Sequence, residues 1–291
     1  MGMKNLLIIA MVLLTINVTA QNNNGNLIVA SYNIRWNSSE DGINIWENRK
    51  DWLTKSIKFF ELDIVGAQEV THTQLKDMES LLPGFEVVGE GREGGEKGEY
   101  SPIFYRKDRF ELLDSSTFWL SETPDKTASK GWDAALPRIV TWARFRDKKA
   151  GETFYFFNTH FDHRGKAARK NSAELIGKRM QAIAGEEQVI LTGDFNTAPD
   201  SEPYNVLLDN KLEDTFSNLP EEQIYSPGYT FNSWDVEASG DRYRIDYVFY
   251  KGKKLQPEKY HVLDGQRGRW FISDHFPVIA KFIWKKSLDC N

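Results

Sequence analysis

Six short apolar runs in this 291-residue chain stop at residue types that can do chemistry. Asn33 stands near the end of the run 27–34, and Glu69 follows the run 62–67. His160 follows 153–159, and Asp194 and Asn196 follow 189–191. Asp246 lies in 244–250, and Asp274 and His275 precede 276–284. Any one of these is most often a turn or cap residue. Jointly, in a chain with five histidines, they describe one oxygen-rich site with imidazoles. Ends of buried strands are where layered α/β folds build sites. Carboxylate and amide oxygens suit Mg²⁺, or Mn²⁺, held by few protein ligands and several waters. Zinc would want more His or Cys at ligand spacing, and the one cysteine, Cys290, rules out a thiolate cluster. A hard cation beside an imidazole meets the needs of phosphoester hydrolysis. The cation neutralises phosphate oxygens while the base activates water. An acid such as Asp246 would orient that base and stabilise its protonated form.

The elements that must position these groups follow from pattern. Residues 27–34 (LIVASYNI) and 62–67 (LDIVGA) read as buried strands. An amphipathic helix is predicted over 45–60, with Asn44 or Asp41 as its cap. A second helix over 71–82 is stopped by Pro83-Gly84. A strand is predicted over 85–88. The Gly- and Glu-rich stretch 90–99 reads as an exposed, mobile loop. Further strands are predicted over 101–105, 110–120, 139–145 and 153–159, with a hairpin turn at 148–151. The segment 121–136 is a long irregular loop of the kind that often carries function. Helices are predicted over 167–184 and 201–208, the latter capped by Ser201 or Asp200. Residues 212–239 read as irregular and 265–272 as a loop. Strands close the chain over 244–250, 255–263 and 276–284. Many strands with few helices between them point to mixed sheets packed face to face, with helices outside.

Composition bounds the rest. Hydrophobic residues make up 40% and aromatics 13%, enough for one large domain, and no Gly/Ser or Pro-rich linker divides it. Lys4, an apolar run over 6–14 and Val18-Thr19-Ala20 read as a secretory signal peptide over 1–20. The expectation is a single domain over 21–291, exported to the periplasm or beyond, monomeric and without stable membrane insertion. The net charge is -5, and losing Lys4 with the leader makes it one unit more negative. A protein that grips long duplexes is usually basic along one face, so this weighs against a nucleic-acid scaffold.

The motifs resemble those of the endonuclease/exonuclease/phosphatase superfamily, which includes deoxyribonuclease I. They are SYNI (31–34), QEV (68–70), NTH (158–160), GDFN (193–196), RIDY (244–247) and SDHFP (273–277), in family order. The resemblance implies a four-layer α/β/β/α sandwich with its site at one edge of the two sheets. It implies Glu69 as main Mg²⁺ ligand with Asn33 nearby, and His275 as general base oriented by Asp246. Asp194 would position or deprotonate the nucleophile, Asn196 and His160 would hold phosphate oxygens, and Asp274 would touch a metal or brace His275. Arg35 stands where some family nucleases have an acid, which weakens the case for a second metal and leaves Arg35 free for phosphate. WDAALPR (132–138) resembles an exported bacterial subgroup. Arg138 and Arg164 are candidate phosphate ligands because guanidinium forks match phosphate oxygens. Trp132 is a candidate substrate contact, since Trp grips sugars and stacks bases.

The leading expectation is an exported, Mg²⁺-dependent phosphodiesterase or phosphatase. Its substrate is left open among a small molecule, a sugar or lipid headgroup, and nucleic acid. An exonuclease or endonuclease is the alternative, favoured by aromatics such as Trp36, Tyr229 and Trp234 but not by charge. A catalytically dead binding module on the same scaffold is a third reading, disfavoured by the complete residue set.

Overall fold

The apolar runs form strands because each is buried on both faces, as β1 (Leu27–Asn33) illustrates. The structure, a computed structural model, describes residues 25–237 and 242–285. The expected leader and Cys290 lie outside them. The early strands are β2 (Ile64–Gln68), β3 (Phe85–Val88), β4 (Ile103–Arg106), β5 (Phe110–Trp119) and β6 (Ile139–Asp147). Next come β7 (Glu152–His160), β8 (Gln188–Asp194), β9 (Glu213–Asp214), β10 (Ile224–Tyr225) and β11 (Asp246–Lys251). The chain ends with β12 (Leu255–Val262), β13 (Gln266–Arg267), β14 (Trp270–Phe271) and β15 (Val278–Trp284). Four α-helices join them: α1 (Trp46–Phe59), α2 (His72–Leu81), α3 (Lys166–Ala184) and α4 (Glu202–Asp209).

Among the described residues two large sheets result, one ordered β10-β12-β15-β1-β2-β4-β3 and the other β5-β6-β7-β8-β11-β9, beside the small β13-β14 pair. Leu27, Phe154, Ile190 and Phe282 fill the space between them. α1 and α2 cover the outer face of the first sheet through Trp46, Leu53 and Met78. α3 and α4 cover the second through Ile176, Met180 and Leu207. The architecture is therefore the expected four-layer α/β/β/α sandwich. No helix of the described residues is long and apolar enough to cross a membrane.

Register brings the strand-end residues to one edge. β1 and β2 run parallel with Asn33 opposite Gln68, so Asn33 and Glu69 leave the first sheet together. β7 and β8 run parallel with His160 opposite Asp194. β11 is antiparallel to β8 with Asp246 opposite Asp194. The loop before β15 delivers Asp274 and His275 to the same edge, because β15 is antiparallel to β1. A buried polar brace then ties the sheets behind that edge. Asn158 Nδ2 donates to the Ala67 and Pro102 carbonyls at 2.6 and 3.0 Å. Asn158 Oδ1 accepts from Gln68 Nε2 at 2.7 Å and from Thr192 Oγ1 at 3.0 Å.

Several local expectations differ from the structure. Neither Asn44 nor Asp41 caps α1, whose N-cap is Ile45 without a side-chain bond. Asn44 Oδ1 instead accepts from the Phe271 amide at 3.2 Å, and Asp41 pairs with Arg35. Ser201 stands at the N-cap of α4, but its hydroxyl donates backward to the Ala198 carbonyl at 2.6 Å. Residues 265–272 hold the small β13–β14 hairpin rather than an unpaired loop. The stretch 90–99 is a hydrogen-bonded turn, with the Arg92 amide donating to the Glu99 carbonyl at 2.9 Å and Arg92 itself buried.

Candidate active site

Three of the turns that carry site residues take a backbone that L-residues avoid. Arg35, Glu69 and Asn196 have φ of 59°, 60° and 48°. Such positions cost roughly 1 kcal/mol or more each and persist where the surroundings over-determine them. Here they let each strand end in an abrupt turn, so that consecutive side chains face one cleft. Glu69 is held from the other side by α2. Thr71 caps that helix in a capping box with Gln74, and Gln74 Nε2 donates to the Arg35 carbonyl at 2.8 Å. The buried Arg49 guanidinium adds a second tie, donating to the carbonyls of Ile34 and Ile272 at 2.8 and 3.0 Å.

Asp194 is the hub. Its Oδ2 accepts from Asn33 Nδ2 at 3.0 Å and lies 3.4 Å from His160 Nε2 and 3.7 Å from His275 Nε2. Its Oδ1 accepts from the Asn196 amide at 2.9 Å. Asn33 Nδ2 also donates to Glu69 Oε1 at 3.0 Å, and Glu69 Oε2 accepts from the Trp36 amide at 3.0 Å. Asp246 Oδ2 stands 2.8 Å from His275 Nδ1, which turns Nε2 toward Asp194 and the cleft. Asn196 Nδ2 reaches His160 Nε2 at 3.2 Å and the Phe161 carbonyl at 3.1 Å.

The electrostatics follow from burial with crowded charge. Burial, aided by the Asp246 carboxylate, pushes Asp194 up to about 7. Burial, aided by Glu69, pushes Asp274 up to about 6. Burial disfavours a charged His275, but Asp246 and Asp194 outweigh it and hold the imidazole well above its ordinary value. His160 moves the other way, lowered well below the ordinary value by burial and then by the Arg138 guanidinium. His275 is thus the stronger base of the two imidazoles, and His160 stays neutral.

Ligand atoms of Glu69, His160 and Asp194 lie within 4.8 Å of one another, as do those of Asp194, Asp246 and His275. After burial, the largest cause, neighbouring carboxylates raise Asp194 and Asp274 further, an excess of negative charge in the cleft. A divalent cation would relieve that excess, and the oxygen-rich donor set of Glu69, Asn33, Asp194 and Asp274 fits a hard one.

The cleft measures about 360 Å³ and brings together eight of the expected residues: Arg35, Glu69, Arg138, His160, Asp194, Asn196, Asp274 and His275. Asn33 and Asp246 lie just beneath it, bonded to Glu69 and His275. Arg164 and Trp132 are not among its lining. The Asp162 carboxylate accepts the Arg164 amide at 3.0 Å, in a turn that leaves the Arg164 side chain exposed. Trp132 sits half-buried where its amide donates to Glu122. Arg35 reaches the cleft with its fork already on Asp41, at 3.0 and 2.9 Å.

Sequence reasoning missed Arg92, Glu99, His163 and Phe231, all of which line the cleft. Arg92 and Glu99 were hidden in a stretch whose composition signals only exposure. Phe231 pairs across a β-bridge with His275, which no local pattern announces.

The sequence profile of the Endonuclease/Exonuclease/phosphatase family matches residues 30–275. An endonuclease/exonuclease/phosphatase from Bacteroides vulgatus superposes with TM-score 0.85 at 38% identity, over 90% of this chain and 100% of that one. A mannosyl-6-phosphatase from Bacteroides thetaiotaomicron superposes with TM-score 0.81 at 38% identity, over 89% of this chain and 100% of its own. Nocturnin from Drosophila melanogaster is 23% identical over 81% of this chain, which spans only 42% of nocturnin's length. With the family profile spanning residues 30–275 and the fold of two sheets and flanking helices superposing on a family structure at 38% identity, the chain belongs to the Endonuclease/Exonuclease/phosphatase family of phosphoester-hydrolysing enzymes.

Proposed function

We propose that the protein is an exported, Mg²⁺-dependent hydrolase of a sugar phosphoester. The observation that carries the chemistry is the His275–Asp246 pair opening onto Asp194, with Glu69 and Asn33 on one side and His160 and Asn196 on the other. Asp246 fixes the imidazole so that Nε2 meets an incoming water. As the water oxygen bonds to phosphorus, His275 takes its proton and Asp246 stabilises the imidazolium. Asp194 orients the same water through its Oδ2. Asn196 Nδ2, which faces His160 Nε2, donates to the phosphate oxygens as charge builds in the transition state, with neutral His160 beside it. Mg²⁺ on Glu69, with Asn33 and Asp274 alongside, would neutralise phosphate oxygens and steady the leaving oxygen. The phosphorus–leaving-oxygen bond then breaks, the leaving oxygen takes up a proton from solvent, and His275 returns its own to solvent.

The sugar assignment rests on the likeness to the mannosyl-6-phosphatase and on the cleft rim. Trp36 and Phe231 stand there 41% and 42% exposed, as flat faces a pyranose can pack on. Those faces could also stack bases, which keeps a nuclease as the second reading. Export rests on the leader-like residues 1–20, and a purified mature protein starting at Gln21 would test it.

The deciding experiment compares wild type with Glu69→Ala and His275→Ala. Expected is Mg²⁺-dependent hydrolysis of mannose 6-phosphate by wild type, abolished by chelator and by either change. Activity surviving in both variants would sink the mechanism. Faster turnover of single-stranded DNA or RNA than of any sugar phosphate would move the assignment to the nuclease.

A further inference from the structure

Two guanidinium groups line the same part of the cleft as His160. Arg138 enters from the strand end before β6, and Arg92 from the turn over residues 90–99. Both line the cleft together with His160, and both also line a smaller recess beside it with Glu99 and Tyr100. Each has one carboxylate beside it, Glu99 for Arg92 and Asp162 for Arg138, and one pairing does not use up the donors of a guanidinium fork.

Arg92 is held firmly. The Trp119 indole donates to its carbonyl at 2.7 Å, and its amide donates to Glu99. The Tyr100 amide then ties the end of the turn to the Val70 carbonyl at 2.8 Å, one residue beyond Glu69. The side chain is presented on a fixed arm and is 11% exposed. Arg92 Nη1 meets Glu99 Oε2 at 2.9 Å, but its Nε is buried with no partner among the described residues. Arg138 spends Nε on Asp162 at 3.4 Å and one Nη on His163 at 3.1 Å. Glu99 lies between the two cations, which lower its pKa against the larger effect of burial. An orphan buried N–H of a charged group costs about 1–3 kcal/mol unless an acceptor arrives.

We propose that Arg92 and Arg138 form a two-guanidinium receptor for the terminal, doubly ionised phosphate of a monoester, and that Arg92 sets the preference for monoesters over diesters. The proposal rests on the phosphoester reading above and narrows its substrate class. The phosphorus sits against His160 and Asn196, so its non-bridging oxygens point toward the arginines. A monoester places a further ionised oxygen there. A diester places an ester oxygen, which carries no charge, and brings an organic group into a recess lined by Arg92, Glu99 and Arg138. Arg forks bind the first and gain little from the second.

The test compares p-nitrophenyl phosphate with methyl p-nitrophenyl phosphate in Mg²⁺, using wild type, Arg92→Gln and Arg92→Lys. Calorimetric titration with inorganic phosphate accompanies the kinetics. Wild type is expected to favour the monoester. Arg92→Gln should lower monoester kcat/KM by about 100-fold and the diester value by only a few-fold, with Arg92→Lys recovering part. Inorganic phosphate should bind Arg92→Gln about tenfold more weakly. Thermal melts check that the variants fold, and Arg92→Lys carries the comparison where Arg92→Gln does not. An equal loss on both substrates, no loss, or a wild type that prefers the diester overturns the proposal. Where neither ester is turned over, the function reading fails by itself. The receptor then stands if phosphate affinity falls in Arg92→Gln, and falls if that affinity is unchanged.

Discussion

Asp246 never reaches the cleft, yet the chemistry depends on it. Its Oδ2 holds His275 Nδ1 at 2.8 Å while its Oδ1 is buried without a partner among the described residues, so the carboxylate is committed to the imidazole. Asp246→Asn keeps the shape and removes the charge. The amide can satisfy a neutral ring in the wrong tautomer, and it no longer stabilises the imidazolium formed after proton transfer. The expected outcome is a fall in kcat of about 10³-fold or more with little change in KM, because the lost interaction is made in the transition state. Steady-state kinetics checks it, with circular dichroism to show an intact fold. A change confined to KM would instead assign Asp246 to substrate binding.

The loops that carry Arg138 and His163 are ordered by one carboxylate. Asp162 Oδ2 accepts from the amides of Ala135 and Leu136 at 3.0 and 3.3 Å, and its Oδ1 from those of Arg164 and Gly165 at 3.0 and 2.8 Å. Burial would raise its pKa, but these amides and Arg138 outweigh it and hold the carboxyl well below the usual range. A group depressed in the folded state contributes stability above its unfolded pKa of about 3.9 and loses it as pH falls below that. Asp162→Asn turns an NH₂ toward donors and should cost about 2–3 kcal/mol at neutral pH. Urea melts should show that deficit at pH 7 and a narrowing gap to wild type below about pH 4. An unchanged gap would mean the carboxylate's charge is not what orders the loops. These anchors mark the limit of what sequence reading reaches. Strands, helices and six strand-end motifs were legible because a buried element writes its period into apolar spacing. The setting of Arg92 was not, because a turn closed by backbone bonds leaves no periodicity. Asn44 and Asp41 look like caps by type, and only the fold shows that Phe271 and Arg35 claim them. Arg164 and Arg138 look equivalent in sequence, and the Asp162 turn separates them.

The site exists only where two sheets meet, so catalysis depends on their relative register. Glu69 and Asn33 belong to one sheet, and His160, Asp194 and Asp246 to the other. In two of the motifs one residue serves the join rather than the chemistry. In QEV and NTH, Glu69 and His160 face the cleft, while Gln68 and Asn158 bond to each other at 2.7 Å between the sheets. Asn158 is wholly buried and satisfies the Ala67 and Pro102 carbonyls, Gln68 and Thr192 together. Asn158→Ala would strand those four groups in a dry interior. The expected cost is about 4 kcal/mol, a large part of the roughly 5–15 kcal/mol that holds a domain of this kind together. It would show as a lower urea midpoint with an unchanged slope. Protein that stays folded should also turn over about tenfold more slowly, because the two half-sites lose alignment. Gly66→Ala probes the same join from the opposite side. A Cβ there would overlap the Thr192 and Asn158 side chains, so the sheets must part or the brace must break. Both variants should lose stability and rate together, while a surface change far from the join loses neither. Wild-type rate in either variant at a temperature where it is folded would show that the edge keeps its geometry without the brace.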